Sequence, residues 1–344
     1  MPIKLRPLQQ QVVVITEASS GVGLLTARLA AQRGARVVLG GRDGEALQQL
    51  ATKIEAAGGR VAYLTADVGN PADMEHLAET AISRFGRIDT WVNNASVALY
   101  GRIEDTPLED MRQLFDTDFW GVVNGSLAAI PRLKISGGAL INVGSVVGDR
   151  AIPLQGICSA SKHAVKGFTD ALRMELGKER APVSVTLIKP AAIDTPYVEH
   201  AGNFLPGEVP LPPVIDAPER VAEAILRAGT TPVRDIYCGG GATIMAMGGV
   251  FAPRIMDRYM QLTLFGQRQE RQRRRARRDS NRDGPREDGR PRRATAGHVM
   301  RSSFYTQVVA ANRSAALAAL GLIAVGAMLC RRREPLKQMA RRPG

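Results

Sequence analysis

Cysteine is scarce in this chain: among 344 residues there are only Cys158, Cys238 and Cys330. An odd number at wide spacing excludes a disulfide framework and suits a reducing compartment. The N-terminus, MPIKLRPLQQ, lacks the apolar core of a secretory signal, so the body of the protein is expected to face the cytoplasm. A composition of 44 % hydrophobic and 23 % charged residues excludes a wholly disordered or fibrous chain. No metal site is expected.

The body also lacks net charge, although the formal charge of the whole chain is +13. Residues 268–344 hold 20 of the 46 Lys and Arg and only 6 of the 33 Asp and Glu. That leaves 26 basic and 27 acidic residues in 1–267, so the basicity belongs to the tail. Its densest part, RQERQRRRARR at 268–278, could attract a phosphate backbone, but it has no interleaved aromatics and no nucleic-acid fold beside it. A nucleic-acid partner is therefore not expected. The run reads more simply as a solvated spacer drawn to anionic lipid headgroups. With twelve Arg and five acids in 268–293 and almost nothing to bury, residues 267–312 are expected to form a disordered linker.

Short β-branched runs alternate with helix-length segments from Gln11 to about Gly240. The runs are 11–16, 36–40, 60–65, 88–94, 138–144, 183–188 and 234–239; the helical segments are 22–33, 44–57, 72–85, 107–130, 157–179 and 217–228. Several runs are nearly all apolar, as strands buried on both faces of a parallel sheet should be. The pattern predicts a doubly wound α/β domain over residues 1–240. Beyond it, 241–266 reads either as a terminal helix packed on the domain or as an amphipathic helix lying on a membrane surface. Ser314–Cys330 is 17 residues without a charge, flanked by Arg313 and by Arg331, Arg332 and Arg333. At about 1.5 Å per residue it reaches the short end of a membrane span. Residues 313–330 are thus expected to anchor the chain in a membrane, the alternative being a helix packed on the body, with 331–344 as a basic tail.

The first strand runs through Thr16-Glu17-Ala18-Ser19-Ser20-Gly21-Val22-Gly23 directly into a helix. A Gly-rich strand-to-helix turn can hold a pyrophosphate with backbone N–H groups and the helix dipole. Further along stand Asp67-Val68, Asn93-Asn94-Ala95-Ser96, Ser145, Cys158-Ser159-Ala160-Ser161-Lys162 and Pro190-Ala191-Ala192-Ile193-Asp194-Thr195. In these motifs, in order and in spacing over roughly 10–240, the chain resembles the short-chain dehydrogenase/reductase family. The resemblance implies a Rossmann-type sheet of about seven strands in the order 3-2-1-4-5-6-7, and a nicotinamide cofactor. It places that cofactor against Thr16, Ser19, Ser20, Gly21, Val22 and Gly23 of the turn, against Asp67, Val68 and Asn94, and against Lys162, Ile193 and Thr195.

Cofactor choice can be argued from charge. Folds that prefer NAD usually carry an acid at the end of the second strand; here Gly41 stands in that place and Arg42 follows. A missing carboxylate beside a guanidinium favours the 2′-phosphate of NADP(H) over NAD(H), unless Arg42 merely caps a surface turn.

The family mechanism implied by the resemblance uses a Tyr for proton exchange, a Lys that lowers its pKa, a Ser that polarises the carbonyl and an Asn that holds a relay water. Here Ser145 and Lys162 are in place, but the Tyr is Cys158, the Asn is Asp118 and the first turn glycine is Glu17. No Tyr lies between Tyr100 and Tyr197 to repair the pattern, and His163 projects about 100° around the helix from Lys162. Three readings of Cys158 stand: an inert buried thiol, a nucleophilic or redox thiol activated by Lys162, or a slow acid acting through water. Losing general acid catalysis typically costs about 10²- to 10⁴-fold. Residues 196–216 read as either a mobile lid over an apolar ligand or an ordinary surface excursion. Two functions follow. One is a membrane-tethered, cytoplasm-facing, weak or inactive NADP(H)-dependent alcohol/carbonyl oxidoreductase for a small or lipophilic substrate, assembled as a homo-oligomer. The other is a non-catalytic cofactor sensor or membrane scaffold.

Overall fold

The computed structural model describes residues 3–205, 215–239, 248–249, 251–264, 289–293 and 299–300. All of them belong to one of two compact units, Met1–Arg301; the other, Ser302–Gly344, lies outside the described residues, and with it the expected apolar span and basic tail. Among the described residues no helix is long and apolar enough to cross a membrane.

Seven strands, β1 (Val12–Ile15), β2 (Arg36–Gly41), β3 (Arg60–Thr65), β4 (Thr90–Asn93), β5 (Gly138–Val143), β6 (Val183–Pro190) and β7 (Asp235–Cys238), form one sheet. Their order is β3-β2-β1-β4-β5-β6-β7 and every neighbouring pair is parallel. Between them run α1 (Gly21–Gln32), α2 (Gly44–Ala56), α3 (Pro71–Phe85), α4 (Leu108–Phe115), α5 (Gly121–Ser136), α6 (Gly156–Lys178) and α7 (Pro218–Ala228); α8 (Pro253–Leu264) follows the sheet.

The first strand shows why a continuous apolar run is needed. Val12 and Val14 point to a core built with Leu77 and Ala81 of α3, Leu133 of α5 and Leu172 of α6. Val13 and Ile15 point to the opposite core, with Leu24 and Ala27 of α1, Leu47 of α2 and Ile225 of α7. All four strand residues are buried. Each aliphatic side chain so placed contributes about 1.5–3 kcal/mol relative to exposure, which holds the central strand rigid beneath the turn that follows it. Local signals set the helix ends. Asp43 caps α2 by accepting from the Ala46 N–H (2.9 Å), and Asn70 caps α3 ahead of Pro71, accepting from the Ala72 N–H (3.1 Å). Gly86, at φ 79°, ends α3 in the left-handed conformation.

Two expectations need adjustment. The helix expected over 107–130 is α4, a π-turn at Asp116–Trp120 and α5, which runs on to Ser136. The extra residue in that turn does not disturb the apolar period enough to be seen in sequence. The linker expected over 267–312 lies mostly outside the described residues, but Gly289–Arg293 within it is hydrogen-bonded to the domain, because each of its arginines meets a carboxylate. Val299–Met300 pairs in parallel with Ile215–Asp216, apart from the main sheet.

Candidate active site

The turn leaving β1 is built around two glycines. A Cβ on Gly23 would lie 2.1 Å from the Glu17 carbonyl oxygen and 2.7 Å from Asn94 Nδ2, so only glycine lets the helix start this close to the strand end. Gly21 takes φ 54°. Thr16 Oγ1 accepts from the N–H groups of Asn94 (2.9 Å) and Ala95 (3.2 Å), and Asn94 Nδ2 donates to the carbonyls of Thr16 (3.1 Å) and Glu17 (3.3 Å). These bonds fasten the turn to the end of β4. Ser20 occupies the N-cap of α1 with no side-chain capping bond, and Thr195 closes the other side, its Cβ 3.5 Å from where a Gly21 Cβ would be. Val22, half-buried, is the second residue of α1.

Glu17 itself sits at φ 51°, a left-handed conformation that suits glycine. Its carboxylate accepts from Ser19 Oγ (3.2 Å). Burial raises its pKa, with Arg42 and Ser19 pulling partly the other way. Gly41 ends β2 opposite the turn; a Cβ there would lie 3.7 Å from Ser19 Oγ, and Arg42 follows. Asp67 is exposed, its Oδ1 accepting from the Gly69 N–H (2.8 Å), while Val68 is buried beneath Gly121. Ile193 bridges to Asp216 beside the turn.

A second group of side chains gathers around Lys162. Lys162 and Cys158, one helical turn apart on α6, share a face, and both are buried. Lys162 Nζ donates to Ser96 Oγ (2.8 Å) and pairs with Asp118 Oδ2 (3.1 Å); Asp118 is fully buried. Asp118 Oδ1 also accepts from Ser96 Oγ (3.0 Å) and the Val97 N–H (2.8 Å), and Ser161 Oγ donates to Oδ2 (3.3 Å). Cys158 makes its hydrogen bonds outside this cluster: its Sγ donates to the Leu99 carbonyl (3.4 Å) and accepts from the Leu99 N–H (3.3 Å), against Val97 and Leu114. Burial, with the charge of Asp118 adding to it, pushes the thiol up to about 12, so a thiolate activated by Lys162 does not form near neutrality. Ser145 Oγ donates to the Pro190 carbonyl (3.3 Å) and accepts from the Val147 N–H (3.3 Å), with no hydrogen bond into the Lys162 cluster among the described residues. His163 Nδ1 bonds the Ser159 carbonyl of its own helix (2.8 Å).

The carboxyl ends of the parallel strands thus carry a Gly-rich turn and, on α6, a buried lysine. The short chain dehydrogenase family matches residues 11–204. The chain belongs to that family.

Similarity to an uncharacterized oxidoreductase, YxnA of Bacillus subtilis (strain 168), extends well beyond the family segment: 45 % identity over 342 residues, covering 96 % of this chain and 94 % of that protein. Among solved structures, a short chain dehydrogenase/reductase from Burkholderia phymatum in complex with NAD superposes with a TM-score of 0.66 at 25 % identity, covering 75 % of this chain and 97 % of that one. An alcohol dehydrogenase from Thermococcus sibiricus complexed with 5-hydroxy-NADP gives 0.59 at 26 % identity, over 66 % and 95 % of the two chains.

Two residues of the cluster, Ser96 and Tyr197, were not among the expected site residues. Ser96 bridges Lys162 and Asp118. Tyr197 comes from the segment after β6, donates to the Val97 carbonyl (2.9 Å) and places its hydroxyl 3.4 Å from Ser96 Oγ. Its pKa is raised well above the usual phenol value, chiefly by burial and then by the charge of Asp118. The available signal was position: Tyr197 lies two residues past Thr195, at the start of the 196–216 segment read as either a lid or a surface excursion.

Proposed function

We propose that this short chain dehydrogenase is a slow NADP(H)-linked alcohol/carbonyl oxidoreductase, tethered to a membrane on its cytoplasmic side. The Gly-rich turn fits a dinucleotide in its shape, since Gly23, with no room for a Cβ, lets α1 begin directly at the strand end. Gly41, which has no side chain where an acid would accept from a ribose 2′-hydroxyl, and Arg42 after it support a 2′-phosphate, while the Glu17 carboxyl bonded to Ser19 works against it. A reduced nicotinamide supplies a hydride to a carbonyl carbon when bound. Ser145, half-buried at the end of β5, orients the substrate oxygen in this reading. The half-exposed apolar side chains of Leu127 and Trp120 on and beside α5, and of Met174 on α6, suit pairing of two copies through those helices.

The observation that carries turnover is Tyr197, a phenol whose hydroxyl lies in hydrogen-bond range of Ser96 and through it of Lys162. A second reading, a cofactor-binding sensor without catalysis, is favoured by the Lys162–Asp118 pair, because the ammonium is already neutralised. NADPH oxidation with a panel of small and lipophilic carbonyl compounds separates them. We expect slow wild-type turnover, a rise of about 10²- to 10⁴-fold in Cys158→Tyr, and a loss of at least about tenfold in Tyr197→Phe. Activity confined to Cys158→Tyr would establish the sensor reading; no activity in either protein would sink the oxidoreductase reading.

A further inference from the structure

The Gly-rich turn is covered by a piece of the chain's own Arg-rich stretch, Gly289–Arg293. The Arg290 carbonyl accepts from the Gly21 N–H (3.0 Å), the first amide of α1. That amide has no partner within its helix, and Ser20 gives α1 no side-chain cap, so the carbonyl takes the place where the helix would meet an anion. Three carboxylates hold the segment down. Arg290 pairs with Glu199 (3.6 Å), Arg292 Nη2 donates to Glu219 Oε1 (2.7 Å), and Arg293 Nε donates to Asp194 Oδ1 (2.7 Å). Asp194 and Glu199 come from the stretch after β6, and Glu219 from the first turn of α7. Thr195, next to Asp194, packs on Gly21, so this anchor adjoins the covered amide.

The contact is built to form and also to break. Docking leaves Arg293 Nη2 on one side and Glu219 Oε2 on the other buried without a hydrogen-bond partner among the described residues. Both regain water when the segment leaves, which offsets part of what the ion pairs contribute. The Arg292–Glu219 pair is 35 % and 42 % exposed, and pairs of that kind stabilise little and weaken with salt. At the head of α1 a neutral carbonyl is a weaker partner than a phosphate, which brings full negative charge to the same amide. We propose that residues 289–293 are an autoinhibitory strap. Docked, the strap occupies with its Arg290 carbonyl the α1 amide that a cofactor diphosphate needs, and the nucleotide enters as the strap lifts away. Its arginines face carboxylates of the domain and are no part of the nucleotide site.

This inference rests on the dinucleotide reading above, and two measurements on the full chain keep them apart. NADPH and ADP-ribose, which share the diphosphate, are titrated by calorimetry into wild type, Arg292→Ala and the double variant Arg292→Ala with Arg293→Ala, with circular dichroism and a thermal melt to confirm folding. Removing two cations from a site that bound an anion through them would weaken binding, whereas removing a strap has the opposite sign. The double variant is expected to bind both ligands about tenfold more tightly, the factor that applies when roughly one wild-type molecule in ten is open. Arg292→Ala alone is expected to tighten both by a smaller factor. Hydrogen exchange read by mass spectrometry follows the strap without a ligand: the peptide holding Gly21 should exchange faster in the double variant than in wild type. NADPH added to wild type should speed exchange at 289–293 and slow it at 17–24. Slower exchange at both places would overturn the proposal, because the segment would then stay seated over the bound nucleotide. Unchanged or weaker affinity in the folded variants would overturn it while leaving the dinucleotide reading intact. If neither wild type nor variant takes up either ligand at millimolar concentration, the dinucleotide reading fails and the strap's inhibitory role with it; uptake by the double variant alone would uphold both.

Discussion

Glu17 carries two penalties at once. Its backbone at φ 51° costs about 1–2 kcal/mol relative to glycine. Burial raises its carboxyl pKa, so the native state resists ionisation that the unfolded chain accepts freely, and stability falls as pH rises from the ordinary glutamate range through the raised value. Above that value the side chain is an anion beside the place proposed for phosphates, whereas below it the repulsion disappears. Glu17→Gly is therefore expected to raise the melting temperature and to tighten NADP⁺ binding roughly tenfold at pH 7.5. Wild-type affinity should weaken with rising pH more steeply than that of either Glu17→Gly or Glu17→Gln, because all three share the ligand's own titration. Parallel pH profiles in titration calorimetry would show that the carboxylate does not face the nucleotide.

The element that shapes the lysine cluster is the π-turn Asp116–Trp120 between α4 and α5. It turns Asp118 inward, and Gly121 lets α5 rest on Val68, whose Cγ2 would stand 2.5 Å from a Cβ there. Lys162 on α6 is thereby held between Asp118 and Ser96. Asp118→Ala would leave a buried ammonium without its carboxylate and is expected to destabilise the fold by about 3–5 kcal/mol in urea titration. Asp118→Asn should cost less, since an amide oxygen can still accept from the Val97 N–H. Equal losses in both variants would mean that the charge of Asp118 does not matter to Lys162. The strands and most helices were legible beforehand because burial on two sides leaves unbroken apolar runs, as in β1. The positions of Ser145, Cys158, Lys162 and Asp118 were legible from motif spacing. The bonds between them were not: Ser96, Asp118, Lys162 and Tyr197 arrive from four separate segments, and no local pattern records which hydroxyl meets which amine.

At the scale of the molecule, charge and apolar surface are segregated along the chain. After the sheet comes α8, where Ile255, Tyr259 and Leu262 are exposed along one stripe at helical spacing. Met260 is buried and Asp257 pairs with Arg150, so α8 is attached to the domain while its apolar stripe is left outward. Arg-rich residues 268–278 follow directly, and the uncharged Ser314–Cys330 stretch lies further on, outside the described residues. A helix that presents an apolar stripe next to clustered arginines suits the surface of an anionic bilayer, and a 17-residue uncharged stretch suits its interior. The two proposed attachments would differ in strength and salt response, which allows them to be tested separately. Full-length protein in bacterial membranes is expected to resist extraction by alkaline carbonate, because an inserted helix does not depend on charge. A chain ending at Arg301 should lose that resistance but still float with vesicles containing phosphatidylglycerol at low salt, and Ile255→Asp with Leu262→Asp should abolish flotation. Full-length protein recovered wholly in the soluble fraction would refute the anchor, and flotation unaffected by the two aspartates would refute the role of α8.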